Sequence, residues 1–279
     1  MRPDHVSPEL ERDVLAGKLD RRALLGRAAM LGAASTGLAS ALSVPESAAQ
    51  TPATSEAPAA SAIPGPPWEG GVRGGVGRVA WPANITFDPP LAYDLAGYYG
   101  ILNFYRGLLF YGLDPEPQLD LAESMDIADD ASGYRFRLKP GVTFHNGREL
   151  TAADCKFTWE RASSTEIGSW VQSFLAAVTG HADFVAGDAG EISGIKVVDD
   201  YTIELELDRP DVTIPGVLGI PPFYILPAEV VQAAGEDFSF MMGSGPFRLE
   251  ELDQTQRVYR CSRFEDYVYA DRLPYFDQL

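Results

Sequence analysis

The sequence predicts a mixed α/β or α+β body, and three observations carry that prediction. Tyr134, Phe136 and Leu138 alternate with Arg135 and Arg137, the period of two that marks a half-buried strand. Ile195–Val198, the turn Asp199-Asp200 and Tyr201–Leu207 read as a hairpin, with Ile203, Leu205 and Leu207 facing in and Glu204 and Glu206 facing out. Leu95, Tyr98, Tyr99, Leu102, Tyr105 and Leu109 recur at steps of three and four, which predicts a helix over Asp94–Leu109.

The remaining elements follow in order. Gly75–Trp81 reads as a short strand. Thr143-Phe144 leads into an Asn146-Gly147 turn, because Asn and Gly tolerate the positive φ such turns require. Thr151-Ala152-Ala153-Asp154 opens a helix running to about Ala162: the Thr hydroxyl can accept an amide, and the acidic third position suits the positive end of the helix dipole. Pro227–Ala234 is a short helix with Pro in its first turn. Gly243-Ser244-Gly245-Pro246 is a tight turn, its glycines supplying positive φ, into strand Phe247–Leu252, which pairs with Arg257–Arg263. Pro274–Leu279 resembles the start of a further strand. No internal repeat is visible.

The first fifty residues read as an address. Acidic and basic residues alternate through Asp4–Asp20, Arg21-Arg22 follow, and the uncharged run Ala28–Val44 is 17 residues long. That is short of the roughly 20 apolar residues of a membrane-spanning helix. Ser47-Ala48-Ala49 offers a small-x-small cleavage site before Gln50. Paired arginines before a weakly hydrophobic run resemble a twin-arginine export signal, although Leu24 and Gly26 stand where that motif prefers Phe and Lys. An amphipathic helix retained in the mature chain is the other reading. Residues 50–73, rich in Pro, Ala, Ser and Gly, are expected to be a tether, since they cannot bury enough apolar surface to offset ordering.

Across all 279 residues, 22 Lys+Arg stand against 40 Asp+Glu, a net −18. Residues 1–49 hold six basic and six acidic groups, so the whole −18 belongs to the remaining 230 residues. Charge of that sign disfavours nucleic acid and anionic lipid as partners. Cys155 and Cys261 are the only cysteines, too few for a disulfide scaffold or a cysteine-built zinc site; they are expected to be two buried thiols or a single disulfide.

Motifs for catalysis are not found. His145 and His181, the two histidines outside the export segment, have no partner at metal-ligand spacing, and His181 reads as a solvated loop residue. No G-x-S-x-G elbow occurs. Gly75-Val76-Gly77-Arg78-Val79-Ala80 formally matches a dinucleotide fingerprint, but Trp81-Pro82 follows where the phosphate-binding helix should begin. The pairs Asp129-Asp130, Asp199-Asp200 and Glu250-Glu251 read as turn formers or solvated faces. No catalytic residue, metal or cofactor is therefore expected. The chain does supply aromatic rings: Trp81, Tyr93, Trp170 and Phe174 sit where core packing does not obviously claim them, and such rings hold small ligands without reacting with them.

The segment from Tyr134-Arg135-Phe136-Arg137-Leu138 through Gly141-Val142, Phe144-His145-Asn146-Gly147 and Leu150-Thr151-Ala152-Ala153-Asp154 closely resembles the signature of extracellular solute-binding proteins of family 5. That is the peptide, nickel and opine class served by ABC transporters. Leu121-Ala122-Glu123-Ser124-Met125, Val197-Val198-Asp199-Asp200-Tyr201-Thr202 and Gly243-Ser244-Gly245-Pro246-Phe247 are similar to further family motifs in the same order, as are Arg263–Tyr267 and Leu273-Pro274-Tyr275.

The resemblance implies a periplasmic-binding-protein-like lobe, a mixed sheet with flanking helices, plus a small extra α+β domain. It divides the chain into a first lobe at 74–119 and 193–265, the small domain at 120–192, and the start of a second lobe at 266–279. The chain is thereby expected to hold the N-terminal half of a two-lobed receptor. The resemblance further implies a monomeric periplasmic receptor that binds a peptide-like solute and delivers it to an ABC permease, after export by the twin-arginine machinery and cleavage near Ala49. Family members contact ligand from the segment after the first strand and from a loop after the capped helix. Here those are Asp88–Tyr93 and Ser169-Trp170, which makes Asp88, Tyr93, Ser169 and Trp170 the candidate ligand-binding residues. An exported scaffold or non-functional fragment without a small ligand, and an exported hydrolase on the same fold, are the alternatives.

Overall fold

The computed structural model describes residues 72–80, 86–235, 241–253, 258–271 and 274–279. The expected export segment and cleavage site, most of the expected tether, and Trp81 lie outside the described residues.

Five α-helices and eight strands order the described chain: α1 (Leu95–Phe104), β1 (Leu109–Tyr111), β2 (Pro117–Leu119), β3 (Ala122–Ile127), β4 (Gly133–Leu138), α2 (Ala152–Ser163), α3 (His181–Ala186), β5 (Ile195–Asp199), β6 (Thr202–Glu206), α4 (Ile214–Leu218), α5 (Ala228–Ala234), β7 (Phe247–Asp253) and β8 (Val258–Arg263). Strands β3-β4-β6-β5 form one antiparallel sheet, while β1-β2 and β7-β8 are separate two-stranded sheets.

The four-stranded sheet shows both faces of the alternation in its sequence. Tyr134, Phe136 and Leu138 are buried with Ile203 and Leu205 against α2, where Phe136 meets Trp159 edge to face at 6.3 Å between ring centres. Burial of a side chain such as Phe136 contributes roughly 1.5–3 kcal/mol. On the solvent face the register sets Asp126, Arg135, Glu204 and Lys196 side by side across the strands, an alternation of charge that keeps unlike groups opposite one another. The turn of the predicted hairpin sits one residue later than expected: β5 runs through Asp199, and the Asp199 carboxylate accepts from Tyr201 N–H at 2.9 Å.

Helix α2 starts as the sequence predicts. Asp154 Oδ2 accepts from Thr151 N–H at 3.0 Å, and Thr151 donates its hydroxyl to the same oxygen at 3.3 Å. The Asn146-Gly147 turn closes through Gly147 N–H to Phe144 C=O at 2.8 Å, with Gly147 at φ +84°.

Helix α1 departs from expectation twice. It ends at Phe104, where Tyr105 turns extended and Gly245 N–H takes the Phe104 carbonyl at 2.9 Å. Its buried face is Gly97, Gly100, Ile101 and Phe104, while Leu95 and Tyr99 point to solvent. A Cβ at Gly97 would stand 3.2 Å from Ala92 Cβ, so the glycine lets the preceding chain pack close and rotates the larger side chains outward.

Gly243 and Gly245 likewise serve a purpose other than the expected one. Neither has positive φ. A Cβ on either would be driven into the backbone of Phe104, so both are needed for close approach. The expected strand at 75–81 is reduced to one parallel bridge, Val76 with Gln278. The segment at 277–279 pairs with β8: Cys261 and Leu279 exchange both backbone bonds at 2.8 and 3.0 Å, and Arg263 N–H donates to Asp277 C=O at 2.8 Å. Cys155 and Cys261 are free, buried thiols.

Candidate functional site

Two segments far apart in sequence meet beside α1. Pro89-Pro90-Leu91 forms a single 3-10 turn whose prolines fix φ. Ahead of it, the Asp88 carboxylate receives both terminal nitrogens of Arg161 at 2.7 Å each, a two-pronged pair with both partners largely shielded from water. Arg161 lies in the last turn of α2, where a cation also suits the helix dipole. Burial, and then the Asp88 carboxylate, push the neighbouring Tyr105 phenol far above its ordinary range.

The second segment is stitched to this turn from the other side. Ser169 donates its hydroxyl to Pro90 C=O at 2.6 Å and accepts from Val171 N–H at 3.3 Å. Trp170 donates its indole N–H to Ala92 C=O at 2.6 Å, and its ring meets Phe174 edge to face at 5.3 Å. Trp170 and Tyr93 thus flank the same residue, Ala92.

The four candidate residues therefore divide in two. Asp88 and Ser169 are buried and hydrogen-bonded within the protein, so their contribution is to position the loops. Tyr93 and Trp170 present rings to solvent, with 78% and 44% of their surface exposed. Leu95 and Tyr99, one helical turn apart on α1, extend this exposed apolar surface at 66% and 51%. Sequence reasoning missed Arg161, Leu95 and Tyr99. The signal for the last two was the pair of glycines at 97 and 100, which claim the core-facing side of α1.

The long motif from Tyr134 to Asp154 is scaffold. His145 N–H donates to Gly243 C=O at 2.8 Å, and Gly243 N–H donates back to His145 Nδ1 at 3.3 Å. That fixes the proton on Nε2, which donates to Gly245 C=O at 3.0 Å. Phe264 packs edge to face on the imidazole at 4.9 Å. The imidazole is thus enclosed, and burial lowers its pKa from 6.5 to about 4. Arg148 holds Asp154 by two bonds of 2.6 and 3.0 Å and reaches Glu229 at 2.7 Å, tying the Asn146-Gly147 turn to α2 and α5. His181, expected to be a solvated loop residue, is buried at the start of α3 with its Nε2 2.8 Å from Gln172 C=O. Among the described residues no group of three or more His, Cys, Asp or Glu could hold a metal ion. A shallow surface depression of about 620 Å³ lies on the solvent face of the four-stranded sheet beside Arg135, Lys196 and Glu204, and neither Tyr93 nor Trp170 lines it.

The model of bacterial extracellular solute-binding proteins, family 5 Middle, matches residues 116–279. The probable deoxycholate-binding periplasmic protein YgiS of Escherichia coli (strain K12) is 29% identical over 179 residues, 62% of this chain and 34% of that protein. The dipeptide-binding protein DppE of Bacillus subtilis (strain 168) is 26% identical over 60% of this chain and 31% of its own. Among solved structures, Listeria monocytogenes OppA bound to peptide superposes with a TM-score of 0.63 at 27% identity, covering 75% of this chain and 41% of that one. The binding protein AgaA in complex with agropinic acid, from A. tumefaciens R10, gives 0.57 at 27% identity, covering 66% and 34%. The chain spans about a third of the length of the curated relatives it matches. The family and these neighbours are solute-binding proteins, not enzymes.

Proposed function

Because the chain belongs to the bacterial extracellular solute-binding proteins of family 5, we propose that it serves as the substrate-binding component of an ABC transporter, taking up a peptide or related small solute. The family match over residues 116–279 is the observation that carries this reading. In it, the chain is exported by a twin-arginine signal cleaved near Ala49, works in the periplasm as a monomer, and hands its solute to an inner-membrane permease.

The exposed rings of Tyr93 and Trp170 form the ligand-facing wall. Asp88 and Ser169 hold that wall in place through Arg161 and the Pro90 carbonyl. The wall offers flat apolar surface without an uncommitted charge in its four candidate residues, which favours contact with a side chain or backbone face of a solute. Residues 74–119 form part of the first lobe. The small domain covers 120–192 and the first lobe resumes at 193–265, with the antiparallel pairing of β4 and β6 joining the two.

The test is a solute screen by titration calorimetry and tryptophan fluorescence on the whole chain. The panel contains di- to pentapeptides, glutathione, agropinic acid and deoxycholate. Saturable binding of a peptide, lost in a Tyr93→Ala/Trp170→Ala chain, is the expected result. Binding that is indifferent to both substitutions would remove this wall from the site, and no response to any peptide would refute peptide as the solute class of this chain.

A further inference from the structure

The turn after β8 is fastened to the rest of the molecule by a buried polar cluster that takes no part in the ligand-facing wall. Asp120, fully buried just before β3, meets Arg106 Nε at 2.6 Å through one carboxylate oxygen. The Tyr269 hydroxyl lies 3.1 Å from the other carboxylate oxygen and 2.9 Å from the Asp120 carbonyl. Lys139 donates to that same carbonyl at 2.5 Å and to the Tyr269 oxygen at 2.8 Å, and its ammonium sits 5.0 Å from the centre of the Tyr269 ring.

The four residues come from four different places. Arg106 follows α1, Asp120 leads into β3, Lys139 leaves β4, and Tyr269 belongs to the turn beyond β8. Backbone bonds converge on the same spot, from Asp120 N–H to Leu108 C=O and from Lys139 N–H to Leu121 C=O, each 2.9 Å. A carboxylate removed from water must be met by directional donors, and directional donors select one geometry where apolar rings would accept several.

We propose that this cluster is an interdomain lock. It pins the turn at 264–271 to the entrance of the small domain, and so sets the direction in which the chain heads toward the second lobe. The meaning given to the lock rests on the lobe assignment above. Its test does not, because the readout needs neither ligand nor transport.

The test is hydrogen exchange on the whole chain, comparing Tyr269→Phe and Lys139→Met with the parent. Tyr269→Phe keeps the ring over Lys139 and deletes only the hydroxyl; Lys139→Met keeps the stem and deletes the ammonium. In both, the hydrogen-bonded amides of Phe264, Tyr267 and Ala270 should exchange about tenfold faster, with α2 and the four-stranded sheet unchanged. Unchanged protection at 264–271 in either variant overturns the lock. Faster exchange spread evenly over the chain also overturns it, since the cluster would then be a general stabiliser.

Discussion

Acidification should weaken this protein through one imidazole. His145 is enclosed between Gly243, Gly245 and Phe264, and burial lowers its pKa from 6.5 to about 4. The hydrogen bond to the Gly245 carbonyl opposes that shift without reversing it. In the unfolded chain the same group titrates near 6.5. As pH falls below that value the unfolded state takes up the proton first, so the stability held above pH 6.5 drains away until the folded imidazole protonates near pH 4. A difference of about 2.5 pKa units corresponds to roughly 3 kcal/mol, of which about 2 kcal/mol is gone by pH 5. The assay is urea unfolding at several pH values between 7.5 and 4.2, for the parent and for His145→Gln. The Gln variant retains a side-chain amide but does not titrate. Carboxylates such as Glu149 and Glu250, held below their usual range by hydrogen bonds from Tyr201 and Ser262, contribute equally to both chains and cancel in the difference. The parent should lose about 3 kcal/mol more than the variant across the range. Parallel stability curves would show that the imidazole is solvated or that the clamp does not form.

Further outcomes follow from the same contacts. Gly245→Ala should cost about 2–3 kcal/mol in urea unfolding, because its Cβ would be forced into the Phe104 backbone and the turn would have to move. Asp88→Ala should cost about 2–3 kcal/mol by the same measurement, since it takes from the largely shielded Arg161 the carboxylate that receives both its terminal nitrogens. Tyr93→Ala should leave stability within about 0.5 kcal/mol, the ring being largely exposed, while weakening solute binding roughly 3- to 10-fold in calorimetry. Trp170→Ala should weaken binding similarly but also lower stability by about 1–2 kcal/mol, because its indole bond to Ala92 and its contact with Phe174 go with it.

Much of the stretch from β4 to β6 was legible in the sequence. Strand β4, the β5–β6 hairpin, the capped start of α2 and the turn at Gly147 all rest on interactions within a few residues or on a strict period of two. Helix α1 was misjudged in both length and facing for a common reason. Its end is set by Gly245, some 140 positions away, whose amide takes the Phe104 carbonyl, and its facing is set by the close packing of Gly97 on Ala92. Periodicity counts large apolar side chains, so it assigned Leu95 and Tyr99 to the core that the two glycines occupy. The site divides in the same way. Aromatic residues beyond the needs of the core pointed to Tyr93 and Trp170, but no local pattern joins Asp88 to Arg161 or Ser169 to Pro90.

The sequence by itself determined the alternating strands, the helix starts, the turn residues and the family to which the chain belongs, because those depend on side-chain type at short, fixed spacing. Only the tertiary structure decided what the recognisable residues do. It turned His145, the most prominent polar residue of the long motif, into a clamp on a distant turn. It turned Asp88 and Ser169 into supports and left Tyr93 and Trp170 facing water. The physical reason is that a buried polar group must be satisfied wherever the fold brings a partner, and partners contributed by remote segments leave no mark at short range.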